Sequence, residues 1–152
     1  MTRQRRIESL IARLNEDLAR KLGNIIRYNY QAAKAAGRNV EQMRQLLRAE
    51  AAEELDHAAE LAELIVDMGG EPTTTPVEFD KPHCRKAMLE LDVMLERDDM
   101  SRYLELARLA ADLEEVELQA RLEAIAAAEG RQSRKLAQTV RTMWPSSAAI
   151  TH

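Results

Sequence analysis

EELDHAAELAELIVDMGGEP, residues 53–72, holds the pattern on which the fold turns. Leu61, Leu64 and Met68 recur at three- and four-residue steps, the period of a helix with one buried face, and Gly69-Gly70 followed by Pro72 stops that helix. Upstream the same face runs through Met43 and Leu47, but its middle is polar, with Glu50, Glu54 and His57 standing where hydrophobic residues belong. A Glu-x-x-His pair sets a carboxylate and an imidazole on one side of a helical turn, where both reach the same cation. Burying such groups without partners costs several kcal/mol each, so other helices must bring what satisfies them.

The flanking sequence supplies those helices. Ile11, Leu14, Leu18, Ile25 and Tyr28 mark a first long helix over about residues 4–36, ended by Gly37. The second runs from about Val40 to Met68. The stretch EPTTTPVEFDKP, with prolines 72, 76 and 82, is the one extended connection. A third helix starts near His83 and passes through Met88, Leu95, Tyr103 and Leu106, with a break expected near Ala111 and Asp112, where Asp112 caps a fourth. The fourth carries Leu118, Leu122, Ile125, Leu136, Val140 and Met143 and stops before Pro145. The prediction is an all-α four-helix bundle, two antiparallel hairpins joined by a long crossover, in one domain over residues 1–145 with a disordered tail at 146–152. The methionines, Met88, Met94 and Met100 among them, are expected to fill the core.

Composition agrees with an all-α chain: of 152 residues, 32% are charged and interleaved with aliphatic ones, while glycine and proline are few. A single cysteine, Cys84, excludes an internal disulfide and points to the cytoplasm. No apolar run is long enough for a membrane span. A net charge of −4 argues against nucleic acid as the main partner, and Arg3, Arg5 and Arg6 read as a solvated helix start.

One spacing occurs twice. Tyr28, Glu54 and His57 are matched by Tyr103, Glu129 and Gln132, with the same intervals of 26 and 29 residues. Seven residues before each tyrosine stand Lys21 and Glu96. Four helices thus carry polar residues in their core stripes at one depth, an arrangement met in bundles that hold two metals.

LNEDLARKLGNIIRYNY (residues 14–30), the segment quoted first and DVMLE (residues 92–96) together resemble the ferritin-like superfamily, and within it most closely the bacterioferritins. The resemblance spans nearly the whole chain. It implies bridging carboxylates at Glu54 and Glu129, a histidine ligand at His57 and a terminal carboxylate at Glu96, with Tyr28 and Tyr103 beside them. A one-residue shift onto Ala128 and Arg131 is rejected because it buries Arg121, Arg131 and Lys135 together. Two family positions fail: the first-helix carboxylate is Lys21 and the fourth-helix histidine is Gln132. A third departure is Leu55, which stands where bacterioferritins carry a haem-ligating methionine, so no haem is expected.

Three carboxylates against one ammonium leave two negative charges, which one divalent ion balances; alternatively Lys21 takes the place of the cation outright. The resemblance therefore implies an iron-binding or other metal-binding protein of iron storage or detoxification, with one ion per subunit or none and ferroxidase activity weak or absent. In the ferritin family, light-type subunits likewise carry a lysine in place of a ferroxidase ligand. The alternative is a metal-free structural or interaction protein in which Lys21 is salt-bridged to the remaining carboxylates. A second apolar stripe, formed by Leu22, Ile26 and Tyr30 with Leu55, Ala62 and Val66, predicts at least a homodimer through the first two helices. A complete ferritin-like subunit is a further candidate partner.

Overall fold

Four long helices account for most of the described residues. The computed structural model describes residues 1–145; the tail expected at 146–152 lies outside the described residues. α1 (Arg3–Lys34) begins at Thr2, whose hydroxyl accepts from the Arg5 amide, and α2 (Val40–Asp67) begins at Asn39. The α1–α2 turn needs left-handed backbone at Gly37 (φ 88°) and Asn39 (φ 61°), residue types that adopt it at low cost. α3 (Arg85–Asp112) and α4 (Val116–Met143) form the second hairpin. Asp112 does not cap α4, contrary to the sequence expectation: it is the last residue of α3, and a tight turn through Glu114 (φ 60°) delivers the chain to Glu115 as the cap.

α1 packs along α2 and α3 along α4, while the hairpins meet where α1 faces α3 and α2 faces α4. Two apolar clusters fill the ends of the bundle. One gathers Leu10, Leu14, Leu61, Ile65, Leu106 and Leu122, the other Met43, Leu47, Leu89 and Leu136. The polar layer lies between them.

The crossover lies across α1. Asn15 holds it by donating to the Glu71 carbonyl (2.9 Å) and accepting from the Thr73 amide (2.8 Å), and the Val77 amide donates to the Ala19 carbonyl (3.0 Å). Gly23 permits this approach, since a Cβ there collides with the Val77 carbonyl. Of the methionines expected in the core, Met88 is buried, but Met94 is about half exposed, because it projects from the outer side of α3. Among the described residues no helix is long and apolar enough to cross a membrane.

Candidate functional site

Each helix contributes a polar pair spaced i, i+3 to the middle layer: Lys21 and Asn24, Glu54 and His57, Glu96 and Asp99, Glu129 and Gln132. Seven of these eight are buried, and His57 keeps only a small exposed edge. All four candidate ligands, both replacement residues and both tyrosines come together here.

Lys21 sits at the centre. Its Nζ donates to Glu129 Oε1 and lies 2.8 Å from Glu54 Oε2 and 3.8 Å from Asp99 Oδ2, with the Tyr103 ring 5.4 Å away on one side. Burial works against the ammonium, yet Tyr103, Glu54 and Glu129 around it outweigh that and hold it well above the ordinary lysine value. Glu54 is completed by Asn24 (3.0 Å) and Gln132 (3.3 Å). His57 Nδ1 is 3.2 Å from the Glu129 oxygen that Lys21 engages.

Glu96 differs from its neighbours. The Tyr28 hydroxyl donates to its Oε1 at 2.7 Å, while its Oε2, like that of Glu129, has no hydrogen-bond partner among the described residues. Burial, then the charges of Glu54 and Glu129, push Glu96 well above the carboxylate range. Burial also acts on Glu129, but the charge of Lys21, with Glu96 and His57 beside it, overcomes that and brings the group to about 2.

Asp99 and Asn24 were not singled out from sequence. Asp99 accepts from Arg20 at 2.7 Å and from Asn24 at 3.0 Å, so it enters the centre already paired. A constant offset of 75 residues was the available signal: it relates Lys21 to Glu96, Asn24 to Asp99, Glu54 to Glu129 and His57 to Gln132. The same offset relates Asp17 to Asp92 and Arg27 to Arg102. These four cross-pair, Arg27 with Asp92 (2.9 Å) and Arg102 with Asp17, as a two-fold relation between the hairpins demands.

Two cavities flank the centre. One, of about 290 Å³, is lined by Glu50, Glu53, Asp56, His57 and Gln132 among others; the other, of about 250 Å³, lies beneath the crossover beside Arg20, Asn24 and Arg27. Glu50 is buried rather than on a solvated face. It accepts from Gln132 at 2.7 Å, and burial raises it to about 7.

The fold and this layer agree with the family comparison, in which the sequence profile of the ferritin-like domain matches residues 11–143. The chain belongs to the ferritin-like family. A ferritin-like, diiron-carboxylate protein from Bacillus anthracis is 33% identical to this ferritin-like chain, with a TM-score of 0.87 over 92% of this chain and 99% of that one. Two more distant structures share the fold. A Rhodobacter capsulatus bacterioferritin, described with a metal-free dinuclear site and haem iron, is 20% identical with a TM-score of 0.76 over 89% and 85% of the two chains. An archaeal Dps homologue from Halobacterium salinarum is 20% identical with a TM-score of 0.82 over 89% and 81%. A search of proteins with curated function finds no match.

The donors of this ferritin-like chain do not fit a pair of divalent metals. Two groupings bring ligand atoms within 4.8 Å of one another, Glu54–His57–Glu129 and Glu96–Asp99–Glu129, and both depend on Glu129, which Lys21 engages. The buried carboxylates of Glu54, Glu96, Asp99 and Glu129 face the cations of Lys21 and Arg20, leaving two negative charges where two dications need four. An ammonium in contact with Glu129 repels a metal that approaches it.

Proposed function

We propose that this chain is a ferritin-like protein of iron storage or detoxification without a working ferroxidase centre, in which Lys21 supplies the positive charge that metals supply in a dinuclear site. The contact of Lys21 Nζ with Glu129 and its 2.8 Å approach to Glu54 carry this reading. Gln132 acts in the same direction, because its amide nitrogen donates to Glu50 and Glu54 where a histidine offers a lone pair to a metal. The chain's contribution to iron handling is then its fold and its surfaces, in an assembly of its own copies or beside a complete subunit. Its surroundings are cytoplasmic, as its exposed free cysteine suggests.

The α1/α2 face supports a two-fold dimer. Ile26, Leu55 and Val66 are each about half exposed, while the residues 75 positions on are Ser101, Gly130 and Arg141. The same backbone positions are thus apolar on the first hairpin and not on the second, and the apolar face needs a cover. Tyr30, expected in that face, packs its ring on Phe79 at 5.8 Å, with Lys81 nearby. Leu55 leaves no thioether for haem at this face.

Iron(II) added under air decides the matter. The protein is expected to oxidise it no faster than a protein-free control, whereas Lys21→Glu, which restores the first-helix carboxylate, gains metal binding by elemental analysis. Oxidation well above the control, with two irons bound per wild-type chain, refutes the reading. The metal-free structural or interaction protein is favoured by the same contacts of Lys21, which satisfy Glu54 and Glu129 with no ion. Iron recovered with the purified assembly separates it from the iron-handling role.

A further inference from the structure

We propose that the cavity between the start of α2 and the end of α4 is a phosphate site, which takes a phosphate-type dianion as the free ion or as the terminal group of a small organic phosphate. Charge is spread unevenly along the molecule. From Gly130 to Pro145 the chain carries Arg131, Arg134, Lys135 and Arg141 and neither aspartate nor glutamate, and α4 delivers that stretch to the end of the bundle where α2 and α3 begin. At the opposite end the α3–α4 turn is acidic, with Asp112, Glu114, Glu115 and Glu117. Such a field draws an anion to the first end and away from the second.

The cavity there has a volume of about 470 Å³, within the range of small-molecule sites and larger than either cavity beside the centre. Arg38, Arg85, Thr139 and Thr142 line it, and no carboxylate does. Glu41, next to the lining residue Gln42, is taken by Arg44 at 2.8 Å. Arg85 is fixed before any ligand arrives: its Nη1 donates to the carbonyls of Ala36 (3.1 Å) and Arg38 (2.7 Å), and its guanidinium lies 5.6 Å from the Trp144 ring. The Nε and Nη2 of Arg85 make no hydrogen bond among the described residues. Two adjacent donors on one rigid fork suit a pair of oxygens on a single anion.

Arg38 is exposed, and its side chain has neither ion pair nor hydrogen bond among the described residues. Thr142 accepts from Gln138 at 3.4 Å, which leaves its own hydroxyl proton to donate. Donors are therefore supplied from three places in the fold, the α1–α2 turn, the start of α3 and the last turn of α4. The N-terminal end of α2 and the C-terminal end of α4, worth roughly +0.5 and −0.5 charge, offset one another here, so the two guanidiniums decide the sign. Two cations balance a dianion, and the oxygens of a tetrahedral phosphate point toward several walls at once. A carboxylate brings one charge and two coplanar oxygens, which one guanidinium satisfies.

Isothermal titration calorimetry tests this on the full chain, freed of metal by a chelator and titrated with inorganic phosphate at constant ionic strength. The expected result is saturable binding of one phosphate per chain, with no binding of acetate at the same concentrations. Glycerol phosphate distinguishes the two sources: tighter binding than inorganic phosphate assigns the site to an organic phosphate, and equal or weaker binding assigns it to the free ion. Arg38→Gln and Arg85→Gln are each expected to weaken binding roughly tenfold or more. Arg6→Gln, which removes the same charge from the far end of the bundle, is expected to leave it unchanged. Circular dichroism verifies that each variant is folded, and Arg38→Gln removes a side chain that the fold does not use. Absence of saturable binding to the wild-type chain overturns the proposal. So does acetate bound as tightly as phosphate, or a loss in Arg6→Gln equal to that in Arg38→Gln.

Discussion

Lys21 and Asp92 are both wholly buried, yet their charges stand on different footings. Lys21 has carboxylates on more than one side, and they hold its proton more firmly than burial loosens it. Asp92 has Arg27 at 2.9 Å and Gln31 at 2.9 Å, but its second oxygen has no donor among the described residues, and burial raises it to about 6 in spite of them. The sign follows from linkage. The folded state binds this proton more tightly than the unfolded chain, whose value is 3.8, so the associated stability is fully present below that value and is lost as pH rises through about 6. Glu50, raised to about 7, acts in the same sense at slightly higher pH. Urea midpoints of wild type and Asp92→Asn between about pH 4 and pH 7 isolate the Asp92 part: the wild-type advantage is expected to shrink as pH rises. A difference that grows with pH contradicts this assignment.

At the scale of elements, the seam between α1 and α3 is made of charge rather than of hydrocarbon. Arg102 reaches Glu16 and Asp17, Arg20 and Asn24 reach Asp99, Tyr28 reaches Glu96, and Arg27 and Gln31 reach Asp92, all running from one hairpin to the other. Polar pairing requires partners at fixed positions, so it sets the register of one hairpin on the other where apolar packing tolerates sliding. The two cross-paired arginines are equivalent by the repeat but not by environment. The Arg27 side chain is 2% exposed and that of Arg102 30%. Arg27→Met, which strands Asp92 without solvent, is therefore expected to cost roughly 3–5 kcal/mol, and Arg102→Met about 1 kcal/mol, since water reaches the place it leaves. Denaturant titration of both variants checks the order, and equal losses count against it.

For the molecule as a whole, the two-fold relation between hairpins extends through the centre but not to the surface. Outside, the first hairpin exposes Ile26, Leu55 and Val66, whose counterparts 75 residues on are Ser101, Gly130 and Arg141. A dimer through that face predicts that Leu55→Glu lowers the sedimenting mass by at least half while the helical circular dichroism is unchanged. A variant that sediments like wild type places the contact elsewhere.

Much of this was legible in the chain itself. Helix period, Gly37, Gly69-Gly70 and the prolines of the crossover are local signals, and they were enough for four helices, their order and the depth of the polar layer. The spacing of Tyr28, Glu54 and His57 against Tyr103, Glu129 and Gln132 located the centre, because residues on one helix face keep their separation on folding. Asp112 was misread as a cap, since one more turn of helix and a left-handed Glu114 are decided by how the hairpin closes. Asp99 and Arg20 passed unnoticed for a related reason: on a charged helix nothing local tells an inward carboxylate from a solvated one. The sequence by itself determined that a lysine enters a layer of carboxylates. Only the tertiary structure decided which of them it meets, and that Glu96 is pushed up while Glu129 is pulled down, because buried charges take their state from neighbours that lie tens of residues away along the chain.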